Sequence, residues 1–138
     1  FDKLILMFQK EVADRIIAKS NTANYGRLSI LSNWKLKIDK IIDIKPQSFL
    51  PMPKIDSTLL VFYPKKNFIH IKDAKNLEMI TRVFFSQRRK MLKKPFNKIF
   101  KDASNISKKL NIDLNLRPQN LTNETYYSIT KEFENLRS

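Results

Sequence analysis

An aromatic residue lies inside a proline-rich segment, and this combination is suited to stacking on a nucleobase. Phe49 follows Pro46 and precedes Pro51 and Pro53. Each proline fixes its own φ angle and restricts the residue before it to extended geometry, so the segment is stiff. A stiff loop that presents an aromatic ring loses little entropy when an unstacked base arrives. The alternative is that Phe49 fills the core, as large apolar side chains usually do.

A second segment is strongly cationic and suited to binding phosphates. Between residues 79 and 101 the sequence has eight basic residues and no acidic residue. They are Arg82, Arg88, Arg89, Lys90, Lys93, Lys94, Lys98 and Lys101. In a continuous helix Arg89 would lie beside Lys93 and Lys90 beside Lys94, and like charges at that spacing repel one another. A phosphate backbone is the natural counter-charge, and the alternative is an ordinary solvated face.

Several reaction types lack the residues that they require. The chain has no cysteine and a single histidine, His70, which excludes thiolate nucleophiles and histidine-rich metal sites. No pair of carboxylates stands out as a general acid and base, since Glu11 and Asp14 are typical of a solvated helix face. The single glycine, Gly26, excludes a glycine-rich phosphate loop. Binding of a polyanion is better supported than hydrolysis or metal chemistry.

The overall charge points to the same kind of partner. The 138 residues include 27 basic and 13 acidic side chains, a net charge of +14. Such an excess is typical of proteins that bind nucleic acid, although a lysine-rich surface also serves solubility. No apolar run reaches the ~18 residues that a membrane span needs, and the lack of cysteine fits a reducing compartment. We therefore expect a cytoplasmic protein with neither a membrane nor a metal partner.

The hydrophobic pattern predicts strands before residue 66 and mainly helices after it. Strands are predicted over residues 4–8, 34–39 and 58–63. Helices are predicted over 10–19 and 25–32, around 77–84, over 87–94, from Pro95, after Ser104 and after Thr122. The first and third strands are apolar enough to be buried on both faces, and the proline-rich connection favours an antiparallel pair. The sequence thus predicts an α/β part, residues 1–66, followed by a small all-α domain, residues 67–138.

Four short motifs occur in the order found in one family of enzymes. They are Met7-Phe8-Gln9-Lys10-Glu11-Val12-Ala13-Asp14-Arg15-Ile16, Tyr25-Gly26-Arg27-Leu28-Ser29, Phe49-x-Pro51-x-Pro53-Lys54-Ile55-Asp56-Ser57 and Phe85-Ser86-Gln87-Arg88-Arg89-Lys90-Met91-Leu92. Together they resemble the ribosomal RNA adenine dimethyltransferases of the KsgA type over essentially the whole chain. The last motif is more similar to the KsgA branch than to the erythromycin-resistance methylases.

The resemblance implies a particular fold. The three strands would be the fifth, sixth and seventh of a Rossmann-like methyltransferase sheet, with the seventh inserted antiparallel between the other two. The family binds S-adenosylmethionine through a glycine-rich loop after its first strand and grips the target amine with an Asn-Leu-Pro-Tyr motif after its fourth. Neither feature occurs in this sequence. The chain therefore resembles the C-terminal half of such an enzyme, and the cofactor site is expected upstream of Phe1.

The resemblance also implies an activity and roles for particular residues. The activity is dimethylation of two adjacent adenines in the 3′-terminal hairpin loop of small-subunit ribosomal RNA, within the pre-30S particle. Phe49 would stack on the flipped-out adenine. Lys54 would contact the RNA, as would five residues of the cationic segment, Arg88, Arg89, Lys90, Lys93 and Lys94. The intact enzyme is expected to be a monomer, and this chain alone is expected to be inactive.

Two other functions stay open from the sequence. One is a non-catalytic RNA-binding or ribosome-assembly module, and the other is a large-subunit RNA methylase of the erythromycin-resistance type. Pro95 is a departure from the continuous helix that the cationic segment would need. The first strand would lack its sheet neighbour in a chain of this length. An unpaired apolar edge pairs with another chain or aggregates, so we expect this chain to self-associate there.

Overall fold

The computed structural model describes residues 2–48 and 56–137, and this part of the chain contains three strands and six helices. The strands are β1 (Leu4–Gln9), β2 (Leu36–Ile44) and β3 (Ser57–Pro64). The helices are α1 (Lys10–Ile17), α2 (Arg27–Ser32), α3 (Ala74–Phe85), α4 (Lys93–Ile99), α5 (Ala103–Lys109) and α6 (Asn123–Arg137). Short 3₁₀ turns occur at Pro46–Ser48 and Pro118–Asn120. The predicted α/β organisation, with strands first and a group of helices after them, is confirmed.

The three strands form one antiparallel sheet in the order β1-β3-β2. In the centre, Leu60 of β3 pairs with Leu6 of β1 on one side and with Lys40 of β2 on the other. The central strand is apolar from Leu59 to Phe62, whereas β2 alternates apolar and charged residues as an edge strand does. The predicted insertion of the third strand, antiparallel between the other two, is confirmed.

Helix α1 follows β1 directly and covers one face of the sheet. Its Ala13 and Ile16 are buried against Leu60 and Phe62 of β3. Residues three apart lie on the same helix face, so this spacing turns both side chains towards the sheet. Full burial of an aliphatic or aromatic side chain of this size contributes about 1.5–3 kcal/mol. The helix ends at Ile17, two residues before its predicted end.

Strand β1 is uncovered at its outer edge and over most of its length. Leu4, Ile5, Leu6 and Met7 are 42–53% exposed, and no described strand pairs with β1 on the side away from β3. The prediction that this strand is buried on both faces is wrong for this chain. An apolar sequence indicates that a strand can be buried, but burial also needs another strand or helix to pack on it. The described residues provide no such element for the outer edge of β1.

The larger hydrophobic core lies among the helices. The ring of Phe84 in α3 meets Phe96 of α4 edge-on at 5.4 Å between centroids, and Tyr126 of α6 at 5.6 Å. Edge-to-face contacts of this kind are favoured between aromatic rings. Ile30 of α2 and Trp34 pack in the same core. Helix α2 therefore shares its core with helices that follow residue 66, and the predicted domain boundary there stays a prediction.

A buried carboxylate ties the start of α3 to α6. The side chain of Glu134 accepts hydrogen bonds from the backbone N–H groups of Lys72 (2.8 Å) and Asp73 (3.0 Å) and from the side-chain amide of Asn76 (2.6 Å). Burial by itself would raise the pKa of Glu134. These hydrogen bonds and the charge of Lys72 outweigh it, so the pKa of Glu134 is lowered. The ionised form therefore stabilises the link between these two helices.

We expect Glu134→Gln to lower the free energy of unfolding by about 1–3 kcal/mol, because an amide nitrogen would face the N–H groups and leave buried donors unpaired. Urea unfolding near neutral pH measures this destabilisation. The folded pKa lies below the ordinary value of about 4.3. The contribution is therefore complete above that pH and disappears as the pH falls through the folded pKa.

The exposed residue Glu78, also on α3, provides the control. Glu78→Gln removes the same charge without touching a buried hydrogen bond, so its effect should stay within about 0.5 kcal/mol. Equal stability of the Glu134→Gln variant and the parent chain would contradict the role given to this carboxylate.

Candidate nucleic-acid interface

The basic residues predicted to bind RNA lie where α3 passes into α4. We call them the basic cluster: Arg88, Arg89, Lys90, Lys93 and Lys94. Helix α3 ends at Phe85, turns occupy residues 86–90, and α4 begins at Lys93. The predicted helix over 87–94, which would set Arg89 beside Lys93 and Lys90 beside Lys94, is therefore wrong. The cluster is divided between a turn and the first turn of a new helix.

Pro95 gives the physical reason for the break. It is the third residue of α4, within the first turn, where a backbone N–H has no intrahelical acceptor and its absence costs nothing. A helix continuing through from α3 would lose a hydrogen bond at this position and clash with the proline ring. The connection is held by another loop, since the N–H groups of Leu92 and Lys93 donate to the carbonyls of Leu116 (2.8 Å) and Leu114 (3.2 Å).

The charge of the basic cluster is not neutralised within the described part of the chain. All five side chains are exposed. The ion pairs formed between described residues involve other cations, for example Lys109 with Glu132 at 2.8 Å. Exposed like charges so close in sequence repel one another and do not stabilise the fold. The cluster is therefore available to an external polyanion.

Arg88 has a defined position within the cluster. Its guanidinium carbon lies 5.4 Å from the ring centroid of Phe85. That ring packs in turn on Tyr25 at 6.2 Å and on Tyr126 at 5.6 Å. A cation over an aromatic face is worth about 0.5–1 kcal/mol at an exposed site. The contact holds Arg88 at the junction of α2, α3 and α6.

Arg88 also lines a cavity with two arginines that the sequence analysis did not single out. Arg15 of α1 and Arg27 of α2 share with it a cavity of about 280 Å³, which we call the arginine pocket. No acidic residue of the described chain is among its lining residues. Arg15 and Arg27 belong to two of the family motifs, and that membership was the only sequence signal for them.

The segment that contains Phe49 and Lys54 lies outside the described residues, so the predictions for both stay untested. Ile44 and Ser57 lie on either side of it and are paired across β2 and β3. The segment therefore connects neighbouring ends of two antiparallel strands.

A polar network lies at the base of this connection. The carboxylate of Asp43 accepts a hydrogen bond from the Thr58 hydroxyl (2.7 Å) and another from Lys40 Nζ (3.1 Å), and both lower the pKa of Asp43. Lys10 Nζ lies 4.0 Å from the same carboxylate, and the Lys10 backbone N–H donates to the Asp56 carbonyl at 3.0 Å. The start of α1 is thus attached to the end of the connection.

Metal and membrane sites find no support in residues 2–48 and 56–137. These residues contain no group of three or more His, Cys, Asp or Glu side chains that could hold a metal ion. Their helices include none with the length and apolar character needed to cross a bilayer.

The sequence is similar to proteins of a known family. The family profile described as "Ribosomal RNA adenine dimethylase" matches residues 1–135. A ribosomal RNA small subunit methyltransferase A from Pelagibacter ubique is 66% identical over 137 residues, which are 99% of this chain and 52% of that protein. The protein of the same name from Ehrlichia chaffeensis is 42% identical over 132 residues, 94% of this chain and 49% of that protein. The chain spans about half the length of these curated relatives.

Two solved structures share the fold. A dimethyladenosine transferase from Plasmodium falciparum superposes with a TM-score of 0.79 at 24% identity, covering 98% of this chain and 58% of that chain. The 23S rRNA methyltransferase ErmE superposes with a TM-score of 0.64 at 13% identity, covering 96% and 55%. At these identities the likeness shows the fold alone.

Proposed function

This chain belongs to the ribosomal RNA adenine dimethylase family, and we propose that it is the C-terminal half of a small-subunit ribosomal RNA adenine dimethyltransferase. The family match over residues 1–135 carries the proposal. The substrate is a pair of adjacent adenines in the 3′-terminal hairpin loop, within a pre-30S particle in the cytoplasm. The named small-subunit relatives favour this substrate over the large-subunit alternative, because the likeness to ErmE concerns the fold alone.

In this proposal β1, β2 and β3 are the last three strands of a Rossmann-like methyltransferase sheet. The antiparallel strand in the middle and the open edge of β1 support this assignment. The exposed side chains of β1 support it too, because they are apolar and would be covered by further strands and helices on that side. The complete enzyme is then a monomer, and the bare chain associates through the same edge.

The residues of this chain do not fit S-adenosylmethionine. The sequence has one glycine, Gly26, and the cavity beside it is lined by three arginines, which would repel a sulfonium cation. We assign the cofactor site to the other half of the enzyme, which supplies the methyl donor. The non-catalytic RNA-binding module is not favoured, because the named relatives are methyltransferases.

The chain's own contribution is to hold the RNA and the target base. The basic cluster contacts backbone phosphates and releases their counterions, which provides affinity with little dependence on sequence. Lys54 adds a further cation in the segment between β2 and β3. Phe49 in the same segment stacks on the extruded adenine and keeps it extruded during the reaction.

Replacing all five residues of the basic cluster with glutamine is expected to weaken RNA binding and to flatten its salt dependence. For every phosphate that the variant no longer neutralises, the slope of log K against log salt falls by about 0.7–0.9. Fluorescence anisotropy with a short RNA hairpin between about 50 and 200 mM salt measures both effects.

The matched control replaces five exposed lysines on other parts of the fold, with the same change in net charge. These are Lys37, Lys66, Lys75, Lys108 and Lys131. The control should change the slope much less, because its residues do not meet the RNA. An unchanged slope in the cluster variant would exclude the cluster as the phosphate-binding surface.

Phe49→Ala is expected to slow methylation in a protein that joins this chain to the N-terminal half of the Pelagibacter ubique relative. Loss of base stacking costs about 1–3 kcal/mol, or roughly 5- to 150-fold in kcat/KM. Transfer of labelled methyl groups to small-subunit particles measures the rate. Phe49→Tyr keeps the aromatic face and should retain most of the activity, whereas full activity of Phe49→Ala would remove the stacking role.

The 138-residue chain by itself is expected to self-associate as its concentration rises, because β1 has an open apolar edge. The double variant Ile5→Lys, Met7→Lys should stay monomeric in sedimentation velocity, since inward or edge charges block strand pairing. Leu136→Lys, at an exposed position of α6, is the control and should associate like the parent chain. A monomeric parent chain at all concentrations would contradict the assignment.

A further inference from the structure

The arginine pocket brings together three cations from three elements. Arg15 comes from α1, Arg27 from α2, and Arg88 from the turn after α3. The cavity volume of about 280 Å³ is several times the ~30 Å³ that one water molecule occupies in the liquid. The cavity is therefore large enough for a phosphate group. The one described carboxylate that pairs with these arginines is Glu11, which accepts from Nη2 of Arg15 at 2.9 Å and is not among the lining residues.

Arg27 is held in place before any ligand arrives. Its Nε donates to the Thr81 hydroxyl oxygen at 3.2 Å, and its Nη2 donates to the Glu78 carbonyl at 3.0 Å. Thr81 is fully buried and is itself fixed by donating to a backbone carbonyl of α3. Nη1 of Arg27 has no acceptor among the described residues. The guanidinium plane is therefore fixed, with one nitrogen left for a ligand.

Arg88 approaches the pocket across the only glycine of the sequence. Gly26 has φ −176°, which is extended backbone that any residue adopts, so its φ does not require glycine. A Cβ at this position would lie 3.3 Å from Nη1 of Arg88. Absence of a side chain at residue 26 thus leaves room for the guanidinium, which also lies over the Phe85 ring.

We infer that the arginine pocket binds one phosphodiester of the RNA backbone at a fixed position, unlike the exposed lysines of the basic cluster. Guanidinium groups recognise phosphate through paired, directional hydrogen bonds, which an ammonium group cannot reproduce. Three arginines around one cavity repel one another until an anion enters. The pocket is continuous with the basic cluster through Arg88, so an RNA strand on the cluster reaches it. This inference rests on the proposed function.

The first experiment distinguishes the geometry of the Arg27 guanidinium from its positive charge. In the 138-residue chain, Arg27→Lys keeps the charge but loses the fork that is held by α3. We expect it to bind a short RNA hairpin with two adjacent adenines in its loop about tenfold more weakly, with an unchanged salt slope. Arg137→Lys, at the exposed end of α6 and outside both the basic cluster and the arginine pocket, is the matched control and should bind like the parent chain.

A second measurement locates the phosphate. Methylphosphonates, which are uncharged, are introduced one at a time along the hairpin. One position should weaken binding to the parent chain about tenfold, and that position should lose its effect in Arg27→Lys. Gly26→Val keeps all three arginines but fills the space beside Arg88. It should weaken RNA binding, and the methylphosphonate at the same position should again have no further effect. Unchanged urea midpoints confirm that both variants fold.

Four results would overturn the inference. Arg27→Lys could bind like Arg137→Lys, or all methylphosphonate positions could have equal effects, while the parent chain still binds the hairpin. The pocket would then contribute only to the general positive potential of the basic surface, and the proposed function would stand. A uniform scan together with tighter binding of a 5′-phosphorylated hairpin would assign the pocket to a phosphomonoester. No binding of the hairpin by the parent chain would remove both the inference and the proposed RNA contact.

Discussion

The packing of Phe85 between Tyr25 and Tyr126 is the contact on which the arrangement of the helices depends. It joins the start of α2 to α3 and α6, with ring centroids 6.2 and 5.6 Å apart. Burial raises the pKa of both tyrosines, so each stays a neutral donor. The hydroxyl of Tyr25 donates to Asn123 at 3.0 Å and that of Tyr126 to the Pro118 carbonyl at 2.6 Å. Because both polar ends are satisfied, these large rings can be buried without penalty.

Charge is divided in this protein between internal and external partners. Carboxylates are used within the fold: Glu134 binds backbone N–H groups, Glu132 pairs with Lys109, and Asp43 accepts from Thr58. The basic cluster has no such internal partner in the described part of the chain. The five cations of the cluster, part of an overall net charge of +14, are therefore free to meet a polyanion. The same aromatic contact that closes the core also supports Arg88 at that surface.

Local patterns were sufficient to predict the strands and the main helices, because alternation and helical period act within a few residues. The antiparallel central position of β3 followed from the family resemblance. The burial of a strand was harder to predict, because it depends on which other strands and helices pack against it and not only on its own residues. The apolar run of β1 predicted full burial, yet Ile5 and Met7 are about half exposed. The sheet side has a small core around Leu60 and Phe62, whereas the helices share a much larger one.

The sequence by itself predicted a polyanionic partner, through an acid-free run of basic residues, and identified the family, through four ordered motifs. Pro95 stood out in the sequence as a departure from the continuous helix that the basic run would need, and the structure places the break earlier, between Phe85 and Lys93. Only the tertiary structure decided that Arg15, Arg27 and Arg88 share a cavity. The number of residues between these arginines in the sequence does not determine how far apart they lie in the folded chain. Packing of α1, α2 and α3 around buried aromatic and aliphatic side chains brings them together, and that packing depends on the whole core at once.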